Sequence, residues 1–389
     1  MKSSTLHRQV GYLLLIAVLC LLALGIVMMF SLSGKQAAQG TGAIYGSLQR
    51  QLFWIVLGGA ACVAVSRVDY RWFVRRSVPI LFGTTFLLLL VFVPHVGKKI
   101  NGSWRWLSVA GMTIQPSEFV KGAVVLFLAY WLAKNQRRMQ TSWQGMGVPV
   151  LAAGGLAAVL LVSRDIGSAA MVFAVLSVML FVAGAPKRYL LPIPVLAIAG
   201  LLSIAWLWPE RRARLLAFLH PEAHSDKAHQ LTQALIAFGS GGLTGVGLGN
   251  SRQKMYWLPE ANTDFIFPVV GEELGLWVTL GVVACFLILM LCSGWITLHA
   301  PEPSGVFLGA GITSLMGFQA LANMGVVTGL LPNKGLPLPF ISYGGSNLML
   351  CLLCVGFLFN LQREGVCGDQ EEAQASGLGA DPRAATVRM

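Results

Sequence analysis

Charge is scarce in this chain of 389 residues, and acidic charge is scarcest: Asp and Glu number 16 against 28 Lys and Arg. Charged residues make up 11% of the sequence, where a soluble domain carries about 25%. Hydrophobic residues make up 56% and the mean hydropathy is +0.69, so an ordinary water-soluble globule is excluded. No G-x-x-x-x-G-K-S/T motif occurs, which removes the P-loop route to nucleotide binding. The run Gly245-Val246-Gly247-Leu248-Gly249 is glycine-rich but follows no strand, and it reads as a connector. No H-E-x-x-H motif and no Cys/His set with zinc spacing is present. The seven cysteines form no disulfide framework, because Cys20, Cys62, Cys285, Cys292, Cys351 and Cys354 lie in apolar runs that suit small buried thiols. A net charge of +12 raises the question of nucleic acid. The basic residues, however, sit in short loops between apolar runs, the pattern of membrane topology and anionic-lipid contact, so no nucleic-acid partner is expected.

Long apolar runs are what the chain does have. A spanning helix takes about 20 apolar residues, and ten candidates begin near residues 10, 50, 77, 117, 146, 166, 189, 266, 306 and 343. The expected fold class is an all-α polytopic membrane protein. The first run is too long, and too poorly followed by a cleavage site, to be a removed signal peptide. Basic residues such as Arg67, Arg71, Arg75, Arg76, Arg137 and Arg138 favour one side, which places both termini in the cytoplasm and the long loop of about 209–265 outside. Within that loop Ala228–Phe238 carries apolar residues at helical spacing, and Gly239–Gly249 is expected to be irregular. Residues 1–364 read as one membrane domain, and the polar, aperiodic 365–389 as a disordered cytoplasmic tail. No internal repeat supports an inverted-repeat transporter.

Ionisable residues at membrane depth are costly and mark candidate sites. Lys121, Asp165, Asp264, Lys334 and Arg105 all fall at the outer ends of spans in this topology. Each has two readings. Asp264 either caps the helix that follows it or does chemistry. Lys121 either snorkels and pairs with Glu118, three residues earlier, or serves the site. Trp104 and Trp106 suit an interfacial belt as well as a sugar platform. Glu272 and Glu273 lie deeper, with Gln319 and Asn323 as expected partners in a structural polar network.

Several stretches together resemble one known family. They are Asn101-Gly102-Ser103-Trp104-Arg105-Trp106, Gln115-Pro116-Ser117-Glu118 with Lys121, His229 to Gln233, Leu258 to Gly275 with its TDFIF and GEELG runs, and Leu331 to Ser346. The chain is similar to the SEDS family of cell-wall polymerases, and its wording is closer to the division branch than to the elongation branch. The resemblance implies polymerisation of lipid II into β-1,4 glycan strands at the outer face of the cytoplasmic membrane, at the septum, with a lipid II flippase or an elongation polymerase as the alternatives. It implies Asp264 as the catalytic carboxylate, as base or as metal ligand, with Lys121 holding it ionised. Substrate contacts are expected from Arg105, Trp106, Glu118, Lys98, Lys99, Arg164, Gln233, Glu260, Lys334, Ser342, Gly344 and Gly345. A divalent cation, Mg or Mn, is implied as cofactor. Implied partners are lipid II, an undecaprenyl-linked glycan, a class B penicillin-binding protein transpeptidase (FtsI-like) and other divisome membrane proteins. The chain departs from the family in reading Trp104-Arg105-Trp106 for Arg-Arg-Trp and Ser163-Arg164-Asp165 for Glu/Gln-Pro-Asp, so Arg164 is expected to replace the missing cation.

Overall fold

The computed structural model describes residues 2–38, 46–100, 103–109, 112–141, 143–220, 225–258, 260–332 and 334–375. The first helices are α1 (Lys2–Ala38), α2 (Gly46–Arg67), α3 (Tyr70–Arg75) and α4 (Ser77–Leu89). A small antiparallel sheet of β1 (Gly97–Ile100), β2 (Ser103–Val109) and β3 (Met112–Ile114) separates them from α5 (Pro116–Thr141), α6 (Trp143–Val162) and α7 (Ile166–Val182). Then come α8 (Lys187–Leu190), α9 (Pro192–Leu207), α10 (Pro209–Leu219), α11 (Ser225–Gly241) and α12 (Arg252–Tyr256). The long α13 (Ile266–Leu298), α14 (Pro303–Val327) and α15 (Gly345–Ala375) complete the chain. Proline opens α5, α9, α10 and α14, where its missing N–H has no helical partner to lose.

Among the described residues, eight helical stretches are long and apolar enough to cross a membrane, and Ser77–Phe92 and Ile166–Val182 are shorter apolar helices. Together they occupy the positions where the sequence places its candidate spans. Burial sorts them: 72% of the apolar window is buried in α5 and in α15, against 11% across α8 and α9. The interior is therefore α5, α14 and α15, and α9 turns nearly all its surface outward. α15 packs along α2, α13 along α1, α11 and α14, and α14 also touches α5 and α7.

Two expectations are corrected here. α11 runs through Gly241, so the irregular stretch begins only at Gly242, where Gly242, Gly245, Gly247 and Gly249 all have positive φ. α15 continues to Ala375, past residue 365, where the change in composition sets the start of a tail; the remaining tail residues lie outside those described.

One glycine shapes the region near the site. Gly275 has φ 79 and breaks α13, exposing carbonyls to which a loop docks: Val246 N–H donates to Glu272 O at 2.9 Å and Gly247 N–H to Glu273 O at 3.0 Å. A Cβ at Gly275 would overlap the backbone of Gly245 and Leu243, so only glycine fits both the φ and the contact.

Candidate active site

A cavity of about 700 Å³ opens where the sheet, the α6–α7 turn, α10 and the segments ahead of α13 and α15 meet. It is lined in part by Arg105, Asp165, Arg211, Arg214, Asp264 and Lys334. A separate apolar crevice of about 290 Å³ beside Phe238 and Thr279 has no ionisable lining residue.

Two aspartates enter the cavity wall, and their surroundings divide the roles. Asp165 is the N-cap of α7: its carboxylate accepts from Ser168 N–H at 3.2 Å, Ser168 Oγ at 2.8 Å and Ser117 Oγ at 3.0 Å. Burial works to raise its pKa, but Arg105, the Ser168 hydrogen bonds and Lys121 outweigh it and hold the carboxyl below its ordinary value. Asp264 is placed differently. Phe265, not Asp264, is the N-cap of α13, with no side-chain capping bond. Among the described residues, Asp264 is bonded through its main-chain carbonyl, which accepts from Asn323 Nδ2 at 2.8 Å, and its carboxylate receives no hydrogen bond. Burial and the neighbouring Glu260 raise its pKa to about 7 against the pull of Arg105 and Arg214. The cap reading of Asp264 therefore gives way to a carboxylate left free to exchange a proton near neutrality.

The loops on either side of Asp264 are fixed by main-chain bonds. Asn323 Nδ2 also donates to Leu336 O at 2.6 Å, Gln319 Nε2 to Pro337 O at 3.0 Å and Tyr343 N–H to Asn262 O at 2.9 Å. These bonds lay the 334–338 segment against Asp264 so closely that a Cβ at Gly335 would overlap its Oδ2. Lys334 lies on the same wall, where burial, Arg211 and Arg105 lower its pKa to about 8 despite Asp165.

A family model described as cell cycle protein, covering FtsW, RodA and SpoVE, matches residues 12–366. The chain belongs to the FtsW/RodA/SpoVE family. It is 43% identical over 349 residues to the probable peptidoglycan glycosyltransferase FtsW of Geobacter metallireducens, a match spanning 90% of this chain and 93% of that relative. It is 38% identical over 350 residues to the protein of the same description from Pseudomonas fluorescens, spanning 89% and 86% of the two chains. Among solved structures it is similar to a chain of a peptidoglycan synthase complex, with a TM-score of 0.73, 28% identity and coverage of 90% and 97%. It is also similar to Thermus thermophilus RodA, with a TM-score of 0.66, 27% identity and coverage of 90% and 96%.

Within this FtsW/RodA/SpoVE member the expected site residues separate into two groups. Arg105, Trp106, Glu118, Glu260, Asp264, Lys334, Gly344 and Gly345 line the cavity. Lys121 does not pair with Asp264: its ammonium is 2.9 Å from Glu118 Oε1 and 3.4 Å from Gln319 Oε1, and Asn347 holds the other Glu118 oxygen at 2.8 Å. A buried ammonium takes the carboxylate one helical turn away, which leaves Asp264 without that counter-ion. Lys98 and Lys99 are exposed on β1, where a bulge between them offsets their pairing with Trp106 and Trp104. The Arg164 guanidinium rides over Trp208 at 5.9 Å, so it does not replace a cavity cation. Gln230, one turn before Gln233, is the α11 glutamine at the cavity wall. Ser342 is buried and braces its own loop by accepting from Leu338 N–H at 2.8 Å.

The deeper acidic pair also finds other partners than expected. Glu273 is bonded by Lys254 and by Ser31 Oγ at 2.6 Å, while Glu272 accepts from Ser251 Oγ and from Arg252 N–H at 3.0 Å. Gln319 and Asn323 instead brace the Asp264 loops. Arg211 and Arg214 went unnoticed in the sequence, although an i, i+3 arginine pair on a helix opened by Trp208-Pro209 was the available signal.

Proposed function

We propose that the protein is an inverting glycosyltransferase that polymerises lipid II into β-1,4 glycan strands for septal wall synthesis, working at the outer face of the cytoplasmic membrane. The single observation that carries this reading is the free Asp264 carboxylate, with a pKa near 7, on the wall of a cavity rich in cations. The acceptor hydroxyl at the 4-position of one sugar attacks the anomeric carbon of the lipid-linked donor. The new C–O bond forms as the bond to the donor's diphosphate breaks, the hydroxyl proton passes to Asp264, and the lipid diphosphate leaves. An α-linked donor giving a β-linked product requires one displacement and one base, with no second carboxylate as nucleophile. A base with a pKa near the working pH suits that transfer. Charge builds on the leaving diphosphate, and Arg105, Lys334, Arg211 and Arg214 are the cations at hand.

A divalent cation fits the donor set in a limited way. Asp264 and Glu260 are hard oxygen donors on one wall, and no group of three His, Cys, Asp or Glu residues gathers among those described. Magnesium commonly binds through one or two carboxylates together with substrate phosphates. Such an ion would therefore arrive with the diphosphate and help neutralise it, held on the protein side by Asp264 and Glu260. The proposal includes a class B penicillin-binding protein as the partner that cross-links the new strand. Its test is gel separation of the products of labelled lipid II incubated with the purified protein and partner. Glycan ladders support the reading; movement of lipid II across liposomes without chain growth would make the protein a flippase.

A further inference from the structure

α5 and α7 both begin at the cavity wall and run away from it, so the α5–α6 turn and the link from α7 through α8 to α9 lie at the far end of the bundle. At 1.5 Å per residue, the 17 residues of α7 carry that end about 25 Å from Asp165. This is the end expected to face the cytoplasm, and its surface has two unlike halves. On one, Arg71 meets Asp69 at 3.3 Å, Glu302 at 2.9 Å and Glu364 at 2.9 Å, so the loops beside α3, α14 and α15 share one ion-pair network. The other half is supplied by a stretch without acid: no Asp or Glu occurs between Glu118 and Asp165, or between Asp165 and Glu210. Lys134, Arg137, Arg138, Lys187 and Arg188 are nevertheless all exposed there. Aromatic rings lie among them. The Arg188 guanidinium is 4.5 Å from the Tyr189 ring centre, and Tyr189 packs on Trp143 of α6 at 5.8 Å. Gly145 lies so close to the main chain of Arg138 that a Cβ would come within 2.9 Å of it, which brings the α5 end beside Trp143. Just past Arg188, α9 turns its apolar surface outward: Leu191, Val195 and Leu196 are 62%, 62% and 69% exposed.

We propose that the α5–α6 turn and α8 bind the headgroup of an anionic phospholipid, whose acyl chains lie along the exposed face of α9. A ring beneath a guanidinium takes its face and leaves the N–H fork at its edge free. That fork matches the two unesterified oxygens of a phosphodiester. Lys187 and Arg138 add charge from either side of the ring pair. Trp143 and Tyr189 are amphipathic rings of the kind that sit at headgroup level. The outward surface of α9 sets these cations at the lipid boundary, where the nearest phosphate belongs to a lipid, and basic clusters at the cytoplasmic ends of spans recognise such headgroups. The ion-pair network on the opposite half carries its own carboxylates and offers no comparable surplus of positive charge. The lipid site is separate from the cavity, and its argument stands without the glycosyltransferase reading.

The test uses the full chain purified in detergent, with phosphatidylglycerol as the probe and zwitterionic phosphatidylcholine as the control. Binding is read by native mass spectrometry and by the rise in melting temperature on titration with lipid. Wild type should retain phosphatidylglycerol and lose phosphatidylcholine. Arg188→Ala should weaken phosphatidylglycerol binding by roughly 10- to 100-fold, the loss expected for hydrogen bonds to a charged group. Arg188→Lys, which keeps the charge without the fork, should fall between the two. Lys187→Ala should cost roughly fivefold, as for one cation near a charged membrane surface. Arg67→Ala is the control for charge alone, because Arg67 is exposed in the last turn of α2 at the same end of the bundle, on the half with the ion-pair network. It should change binding little. Equal losses at Arg67→Ala and Arg188→Ala would reduce the effect to net charge and overturn the site, as would equal retention of the two lipids by wild type. Excess inorganic phosphate at matched ionic strength should leave the lipid bound, and displacement by it would make this a site for free phosphate instead. A poly-glutamate peptide that binds more tightly than the lipid would turn the face into a surface for an acidic protein. If Arg188→Ala does not fold, Arg188→Lys and the wild-type preference between the two lipids decide alone.

Discussion

Replacing Gly335 with alanine is the sharpest perturbation of the site, because it moves one carboxylate and little else. A Cβ there would lie 3.2 Å from Asp264 Cγ and well inside contact distance of Oδ2. Gly335 is not among the residues with positive φ, so alanine introduces no backbone strain of its own. Asn323 holds the main chain on both sides of the contact, at Asp264 O and Leu336 O, so relief must come from the carboxylate turning aside by about 1 Å. A misplacement of that size costs on the order of 100-fold in rate, or about 2.7 kcal/mol of transition-state stabilisation. The assay is initial-rate consumption of labelled lipid II at saturating substrate, with thermal unfolding as the check on folding. Gly281→Ala is the control: it lies on α13, and its added Cβ meets nothing within 4 Å. Gly335→Ala should lose kcat while its melting temperature stays close to wild type, and Gly281→Ala should retain activity. A Gly335→Ala protein with wild-type kcat would refute the placement of the reacting carboxylate against the 334–338 segment.

Further outcomes follow from the same geometry. Asp264 accepts a proton only when ionised, so kcat/KM should climb as pH rises toward about 7; Lys334 loses its charge above about 8, so the profile should fall again. A flat profile across that range would contradict both assignments. The folded pKa of Asp264 lies above its ordinary 3.8, so the native state binds the extra proton and this residue's contribution to stability declines as pH rises from about 4 to about 7. Asp264→Asn should accordingly raise the melting temperature more at pH 8, above that window, than at pH 5, near its lower end. Lys254→Ala or Glu273→Ala should each cost about 3–5 kcal/mol by stranding a buried charge, and Lys254→Met with Glu273→Leu should recover most of it in thermal unfolding.

Much of the fold could be read from the sequence, because span-length apolar runs have few alternatives to helices in a membrane. The start near residue 166, for example, follows from Ser163-Arg164-Asp165 interrupting two apolar runs, and α7 begins at Ile166. The β1–β2–β3 sheet was not foreseen, since seven strand residues holding two tryptophans and an arginine look the same as an interfacial loop. At the site, Asp264 and Arg105 stood out because charge is rare in this chain. Of the two readings the sequence allowed for Lys121, pairing with Glu118 three residues away on the same helix is the one the structure adopts, and the role at Asp264 that the family resemblance implied is not. Arg164 shows the deeper limit. Its identity suggested a cation, yet Arg211 of the cavity wall meets it through its main-chain carbonyl, at 3.2 Å, and a main-chain contact is not written in the side chain.

Polymerisation of labelled lipid II by Asp264→Asn, beside wild type and with the proposed class B penicillin-binding protein present, tests the role of this carboxylate most directly. Asparagine keeps the shape and removes only the capacity to take a proton or hold a cation. Wild type should yield glycan ladders, and Asp264→Asn should yield none while still binding undecaprenyl diphosphate. Full-length ladders from Asp264→Asn would contradict the assignment of this carboxylate as the group that drives glycosyl transfer.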